Sequence, residues 1–203
     1  MQTPNTIPVA VSSRHLHLGE GDWRRLFAGQ PLTRLRDLSQ PEEFATAETV
    51  TLVGPRGTLE KVRILGPLRR RTQVEISRTD AVRLGLNPPV RDSGRLDGSA
   101  KITVVGPAGA ISLEEGLILA WRHIHMTPAD ARRFGVRDQE TVYVRCLGQR
   151  EIIYGGVIVR VNPNYRLELH LDTDEANAGL VRDGDLAELV GKPAEGKPHG
   201  LRD

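Results

Sequence analysis

Short runs rich in Val, Ile and Leu alternate along the chain with breaks that carry Gly and Pro, and this punctuation predicts strands rather than long helices. Residues 7–12 read as a strand that leads into Arg14-His15-Leu16-His17-Leu18. Residues 19–28 read as a short helix, and 30–48 are polar, broken by prolines and predicted to hold little regular structure. A meander follows: strand 49–53, the turn Gly54-Pro55-Arg56-Gly57, strand 59–65, a break at Gly66-Pro67, and strand 73–77. Residues 79–84 form a short helix stopped near Gly85. Residues 102–105 and 110–113 flank Gly106-Pro107 as a hairpin, and 117–121 form a strand that enters Arg122-His123-Ile124-His125-Met126.

From there the order starts again. Thr127 and Pro128 mark a helix start, as N-cap and first helical residue. Residues 140–145, 157–161 and 167–171 read as strands. Glu140-Thr141-Val142 echoes Glu48-Thr49-Val50, and Leu169-His170-Leu171-Asp172 aligns with Val74-Glu75-Ile76-Ser77. Both halves therefore run strand, Arg-His-x-His, short helix, Glu-Thr-Val strand, hairpin, and a strand bearing Glu75 or His170. A duplicated unit of this kind predicts two similar subdomains. Short strands at this spacing predict a mainly β chain with short α-helices, folded as small β-barrels.

The repeat singles out the histidines. Of six, four lie in the two His-x-His pairs (His15, His17; His123, His125), beside His170 and His199. Residues i and i+2 of a strand face the same side, so each pair offers two adjacent imidazoles to one metal. The residue between them is apolar, Leu16 or Ile124, as expected where the opposite face is core. Three protein ligands leave a metal an open position for catalysis. The alignment supplies the third ligands, Glu75 in the first repeat and His170 in the second. Taken singly, a strand Glu is more often solvated and a strand His more often a satisfied core residue; the matched positions are what argue for ligation. His199 sits in an aperiodic tail and reads as non-functional.

Composition narrows this reading. The 203 residues suffice for one large or two small domains. Net charge is +2, a balance that argues neither for nor against a polyanionic partner; no nucleic acid is among the expected partners. No apolar run approaches the ~20 residues of a membrane span, and the N-terminus has no secretory pattern. The single cysteine, Cys146, excludes an internal disulfide and reads as a small core residue. No Walker-type or dinucleotide glycine fingerprint occurs. Arg69, Arg70 and Arg71 precede Glu75; if that stretch were extended, Arg69 and Arg71 would share the face of Glu75, where an arginine could hold an anion at the metal.

At these motifs the chain resembles the phosphate propanoyltransferase family, the PduL-type phosphotransacylases. The stretches that carry the resemblance are Val11-Ser12-Ser13-Arg14-His15-Leu16-His17-Leu18, Glu48-Thr49-Val50-Thr51-Leu52-Val53-Gly54-Pro55, Gly66-Pro67-Leu68-Arg69 and Thr72-Gln73-Val74-Glu75-Ile76-Ser77. They continue with Pro89-Val90-Arg91-Asp92-Ser93-Gly94, Ala120-Trp121-Arg122-His123-Ile124-His125-Met126 and His170-Leu171-Asp172-Thr173-Asp174-Glu175-Ala176-Asn177-Ala178. The resemblance implies reversible transfer of a short acyl group, propanoyl or acetyl, between coenzyme A and inorganic phosphate. It implies two zinc ions per chain, one on His15, His17 and Glu75, the other on His123, His125 and His170, with Arg69 facing the phosphate. CoA, acyl-CoA, phosphate and acyl phosphate are then the partners, and a homodimer is the implied assembly. Two interleaved, pseudo-symmetric barrels are also implied: a central one over 14–120, and a second over 121–190 joined by an N-terminal strand at 3–13, with 191–203 a flexible tail. Many members begin with an amphipathic extension that targets a bacterial microcompartment. Few residues precede Ile7 here and none form an apolar helical stripe, so a cytoplasmic enzyme is expected.

The residues alone leave rivals open. A metal-dependent hydrolase would use the same ligands, although the amidohydrolase barrel needs ~250 residues and a βα alternation that this chain lacks. A cupin-like barrel also uses His-x-His, but with one metal per barrel and a differently spaced Glu. Closed four-ligand zinc sites would be purely structural. For a transferase, the chemistry suggested is zinc-assisted direct transfer, with Arg69 gripping phosphate and no acyl-enzyme on Cys146.

Overall fold

A computed structural model of the chain describes residues 5–193. The strands are β1 (Thr6–Ser12), β2 (His15–His17), β3 (Arg34–Asp37), β4 (Phe44–Val53), β5 (Thr58–Gly66), β6 (Gln73–Glu75), β7 (Val90–Arg91), β8 (Ala100–Val105), β9 (Ala110–Ala120), β10 (His123–Met126), β11 (Thr141–Cys146), β12 (Ile152–Val161), β13 (Glu168–Asp172) and β14 (Leu186–Gly191). The helices are α1 (Glu20–Phe27), α2 (Arg78–Leu84), α3 (Pro128–Phe134) and α4 (Thr173–Gly179). None of these helices is long or apolar enough to cross a membrane.

The strands close into two six-stranded rings. In Ser13–Trp121 the order is β4-β5-β2-β6-β9-β8, with β8 returning to pair with β4. β3 and β7 extend this ring as edge strands on β4 and β9. In residues 5–12 with 122–193 the order is β1-β13-β10-β12-β11-β14, closing from β14 to β1. The rings match strand for strand. β2 and β10 each pair in parallel with a longer strand (β5, β12) and antiparallel with the strand that carries Glu75 or His170 (β6, β13). β6 and β13 in turn lie parallel to β9 and β1. The strand that leads into each His-x-His motif therefore belongs to the ring of the other motif. The mainly β fold of two small barrels, interleaved along the chain and matched in strand order, is the fold observed.

Each ring encloses its own apolar core. One is built on Leu16, Leu52, Ile64, Val74 and Leu117; the other on Ile124, Val144, Val159, Leu169 and Leu171. The caps explain where the helices begin. Thr127 accepts from the Asp130 N–H in a capping box with Pro128 at the first turn, and Asp172 forms the same box with Glu175. Ser77, placed in a strand by its sequence context, instead caps α2 by accepting from the Asp80 N–H. Ser77 and Asp172, aligned in the repeat, thus hold the same post.

Other departures have local causes. β3 and the first half of β4 occupy the region read as weakly structured; β3 is exposed at every position, so it has no apolar face to betray it. The two short strands expected at 110–113 and 117–121 are one strand, β9, whose apolar alternation is broken by Glu114-Glu115 and by Gly116 at φ +146°. β7, α4 and β14 were not anticipated; β14 runs through Gly191, one residue into the expected tail. Residues 194–203, with His199, lie outside the described residues.

The two Gly-Pro turns have a packing role. Arg56 N–H donates to the Leu84 carbonyl at the end of α2 (3.0 Å), and Ala108 N–H to the Leu26 carbonyl near the end of α1 (2.9 Å). These turns satisfy helix carbonyls that would otherwise lack partners. Such contact requires glycine at the turn's first position. A Cβ on Gly54 would lie 2.8 Å from Leu84 Cβ and closer still to its carbonyl oxygen; one on Gly106 would lie 2.7 Å from the Leu26 oxygen. Gly54→Ala should therefore lower unfolding free energy in urea by about 1–3 kcal/mol, whereas Gly148→Ala, with nothing near its Cβ position, should change it little.

Candidate metal centres

Pairing register assembles both ligand groups. In the first ring His15 stands directly opposite Glu75, and Leu16 opposite Val74. In the second His123 stands opposite His170, and Ile124 opposite Leu169. Leu16 and Ile124 are fully buried in the two cores, so the histidines on either side of them face away from the apolar interior. The consequence is two groups, His15–His17–Glu75 and His123–His125–His170, each with ligand-type atoms within 4.8 Å of one another.

The first group is oriented by hydrogen bonds. His15 Nδ1 lies 2.8 Å from the Ser13 carbonyl, which can only accept, so Nδ1 carries the proton. That leaves the Nε2 lone pair facing Glu75 Oε2 at 3.6 Å. The other oxygen of Glu75 is held by Gln73 Nε2 and by the Ser93 hydroxyl (2.9 Å), while Gly94 N–H donates to Gln73 Oε1 (2.8 Å). Burial raises the Glu75 pKa, but His15, His17, the Ser93 hydrogen bond and Arg69 more than offset it, so the carboxyl ends below its usual range. Burial, then Arg69 and His15, drive His17 well below a normal histidine.

In the second group the rings crowd together, with His123–His170 centroids 4.9 Å apart and His125–His170 4.6 Å. Tyr165 stacks on His125 at 4.2 Å. Glu168 Oε2 lies 2.8 Å from His170 Nε2. Burial, with help from His123, His170 and Arg160, lowers the His125 pKa to about 2. Both His17 and His125 are thus neutral at physiological pH, the state that binds metals. Each keeps a buried Nδ1 with no hydrogen-bond partner. Such an atom is costly to bury alone, and a cation beside it would remove that cost. Imidazole nitrogen with a carboxylate suits zinc and other divalent transition ions, and three ligands leave a position open. The residues present fit such an ion in both groups.

Arg69 lies in the loop between β5 and β6, where its N–H donates to the Leu18 carbonyl (2.8 Å). Its Nη2 pairs with Glu43 at 3.0 Å, and its charge is felt at His17 and Glu75. The shared strand face imagined for Arg69, Arg71 and Glu75 does not form, because β6 starts only at Gln73. Arg71 is instead paired with Asp97 and Glu115. Cys146 is buried in the second core and its thiol is pushed up to about 11 by burial and Asp185, which suits packing rather than nucleophilic work.

Sequence reasoning missed the supports: Glu43, Gln73, Ser93, Tyr165 and Glu168. It also recorded the arginine before each His-x-His without a role. Arg14 pairs with Asp80 (2.7 Å) and Arg122 with Glu175 (3.2 Å). Asp80 and Glu175 are the third residues of α2 and α4, the helices that directly follow β6 and β13. Each arginine therefore ties the entry of the two-histidine strand to the helix that follows Glu75 or His170. Only the matched repeat position of Asp80 and Glu175 could have signalled this.

Comparison with known proteins places this architecture. The sequence model of the phosphate propanoyltransferase family matches residues 8–182. A phosphate propanoyltransferase of Thermotoga maritima is 52% identical over 186 residues, which cover 91% of this chain and 89% of that protein. One from Priestia megaterium is 54% identical over 91% of this chain and 86% of its own length, and one from Salmonella typhimurium 49% over 91% and 89%. The chain belongs to the phosphate propanoyltransferase family and is thereby an acyltransferase.

The buried neutral histidines make a prediction for the metal-free protein. A histidine whose folded pKa lies below its unfolded value of about 6.5 stabilises the fold above that pH and loses the contribution as pH falls. Urea unfolding of metal-free protein should weaken by roughly 1.4 kcal/mol per pH unit for each of His17 and His125 between pH 6.5 and the acid range. A His17→Asn, His125→Asn double variant should flatten that slope.

Proposed function

We propose that the protein catalyses acyl-CoA + phosphate = acyl phosphate + CoA, with propanoyl or acetyl as the acyl group and zinc at both three-ligand groups. The observation that carries this reading is the convergence of ligand side chains at matched register positions in two rings of a phosphate propanoyltransferase chain. His15, His17 and Glu75 hold one ion, His123, His125 and His170 the other. Zinc held there supplies Lewis acidity, which favours a thiol as its thiolate and polarises a carbonyl. The protein's own part is to keep the imidazoles neutral and aimed, and to hold the anion. In the forward direction a phosphate oxygen attacks the thioester carbonyl, the C–S bond breaks, and CoA leaves as thiolate. In reverse the thiolate attacks the acyl phosphate and phosphate leaves. Arg69 binds the phosphate: a guanidinium carries five donors, and the pair with Glu43 fixes its direction through one nitrogen. The transfer is direct, with no acyl group passing through Cys146.

On this reading the two rings are the domains, 14–120 and 121–190 with the N-terminal strand 3–13, and the enzyme works in the cytoplasm as a homodimer on small molecules. CoA release from acetyl-CoA and propanoyl-CoA tests the activity: it should require phosphate and stop on chelation. Release that proceeds without phosphate would make the protein a hydrolase, and full turnover by metal-free protein would remove zinc from the reaction. Metal analysis should return two zinc ions per chain, against one for a cupin-like arrangement. Arg69→Ala should cut kcat/KM for phosphate by about 100-fold or more yet leave unfolding free energy within about 1 kcal/mol, because both partners of its ion pair are about one-third exposed.

A further inference from the structure

The two groups of ligands differ in a way that their shared geometry does not require. One contains a carboxylate, Glu75; the other is all imidazole. A dication on three neutral imidazoles keeps its full double charge, whereas a carboxylate ligand offsets half of it. The strand pairing shows where the missing carboxylate went. Gln73 stands opposite His17 in the first ring, and Glu168 stands opposite His125 in the second. Gln73 and Glu168 thus occupy equivalent positions, each two residues before the third ligand and on the same strand face. Each also bonds that ligand: Gln73 Nε2 donates to Glu75 Oε1, and Glu168 Oε2 lies 2.8 Å from His170 Nε2. In one ring the strand reads Gln-x-Glu, in the other Glu-x-His. Both keep one carboxylate in the pair of positions, as the ligand itself or as the support of the ligand.

We infer that Glu168 is a positioning residue of the second metal centre, supplying through His170 the negative charge that Glu75 supplies directly to the first. The chemistry follows from the donor and acceptor roles. A carboxylate accepts only, so the Glu168 contact fixes the proton on His170 Nε2 and leaves Nδ1 as the nitrogen with a free lone pair. The carboxylate also makes that imidazole more basic and prevents its ring from turning. Glu168 is itself buried, with 9% exposure, so its charge is poorly screened from the imidazoles around it. Its register partner His125, whose Nδ1 has no hydrogen-bond partner, sits on the same centre. Tyr165 stacks on His125 at the same centre, with ring centroids 4.2 Å apart.

This inference rests on the reading of His123, His125 and His170 as a metal site, and the test separates the two. Zinc-loaded protein is titrated with a chromogenic chelator and the release of each ion is followed. Wild type should hold two ions per chain. Glu168→Gln keeps a hydrogen-bond acceptor but removes the charge; it should release one of the two ions at a chelator concentration about 10–100-fold lower, with the other unchanged. The double variant Glu168→Gln, His170→Glu rebuilds in the second ring the pattern of residues 73–75 and should restore retention of both ions. Thermal melts of the metal-free proteins should coincide for wild type and both variants. Two tightly held ions in Glu168→Gln would overturn the role of Glu168 while leaving the site intact. Failure of the folded double variant to regain its ion would overturn the charge account, and a lower melt of metal-free Glu168→Gln that matches its loaded melt would make Glu168 a packing residue. A His123→Ala, His125→Ala variant that still holds as many ions as wild type would sink the second metal site itself.

Discussion

A single alternation, polar-apolar-polar over three residues, determines both candidate centres. At His15-Leu16-His17 and His123-Ile124-His125 the middle side chain is fully buried among aliphatic neighbours, and this fixes which face of the strand the imidazoles occupy. A slip of one residue would push two imidazoles into the core and expose a Leu or an Ile, so the register is strongly specified. The neighbouring antiparallel strand obeys the same rule, with Val74 and Leu169 buried beside Leu16 and Ile124. Once both apolar residues are in the core, Glu75 and His170 have no choice but to stand across from the first histidine of each pair. Two candidate ligands come from one strand and the third from its partner, without any loop having to be precise. Ring closure then protects these short strands: β2 and β6 have only three residues each and could not hold a register as an isolated pair.

The same packing creates an electrostatic tension. Burial drives His17 and His125 neutral, and the nearby cations Arg69 and Arg160 press in the same direction. A protein built for stability alone would place apolar side chains there. Neutral, desolvated imidazoles with unpartnered nitrogens are instead what a cation needs, because no proton has to leave before it binds. Glu75 belongs to the same economy of charge: its ionised form is favoured by the imidazoles and Arg69 against the burial that opposes it. Arg69 therefore sits where its charge bears on the ligands and where its pairing with Glu43 keeps it from folding away.

Most of the fold and the six ligand-type residues were legible because they depend on patterns of period two and on a repeat. His15 and His17 are visible in any three-residue window, and Glu75 and His170 become visible once Val74-Glu75-Ile76-Ser77 is laid on Leu169-His170-Leu171-Asp172. What stayed hidden depends on distance in sequence. Glu43 reaches Arg69 across 26 residues, and Ser93 reaches Glu75 across 18, with no periodicity linking them. β3 was hidden for another reason: Arg34-Leu35-Arg36-Asp37 is an edge strand defined by hydrogen bonds to β4 alone, and its side chains carry no inward face. The strand face on which Arg69 and Arg71 would join Glu75 does not form because β6 begins only at Gln73, and Arg71 pairs instead with Asp97 and Glu115.

The arginine before each histidine pair shows how a repeated frame can carry different ligands. Arg14 and Arg122 each reach the acid at the third position of the helix that follows Glu75 or His170. The strand bearing two histidines and the strand bearing the third ligand are thereby joined twice, by backbone pairing along their length and by an ion pair at the end where one strand begins and the other runs into its helix. That acid also faces the first turn of its helix, where negative charge is favoured by the backbone dipoles. In α4 the burial of Glu175 raises its pKa to about 7, and the backbone hydrogen bond from Asp172 and then Arg122 oppose the shift without cancelling it. Asp80 and Glu175 differ in length, as Glu75 and His170 differ in chemistry, yet the frame tolerates both. Leu16 and Ile124 are buried alike and the arginine–acid pair is kept in both, while the carboxylate stands at Glu75 on one strand and at Glu168, two positions before His170, on the other.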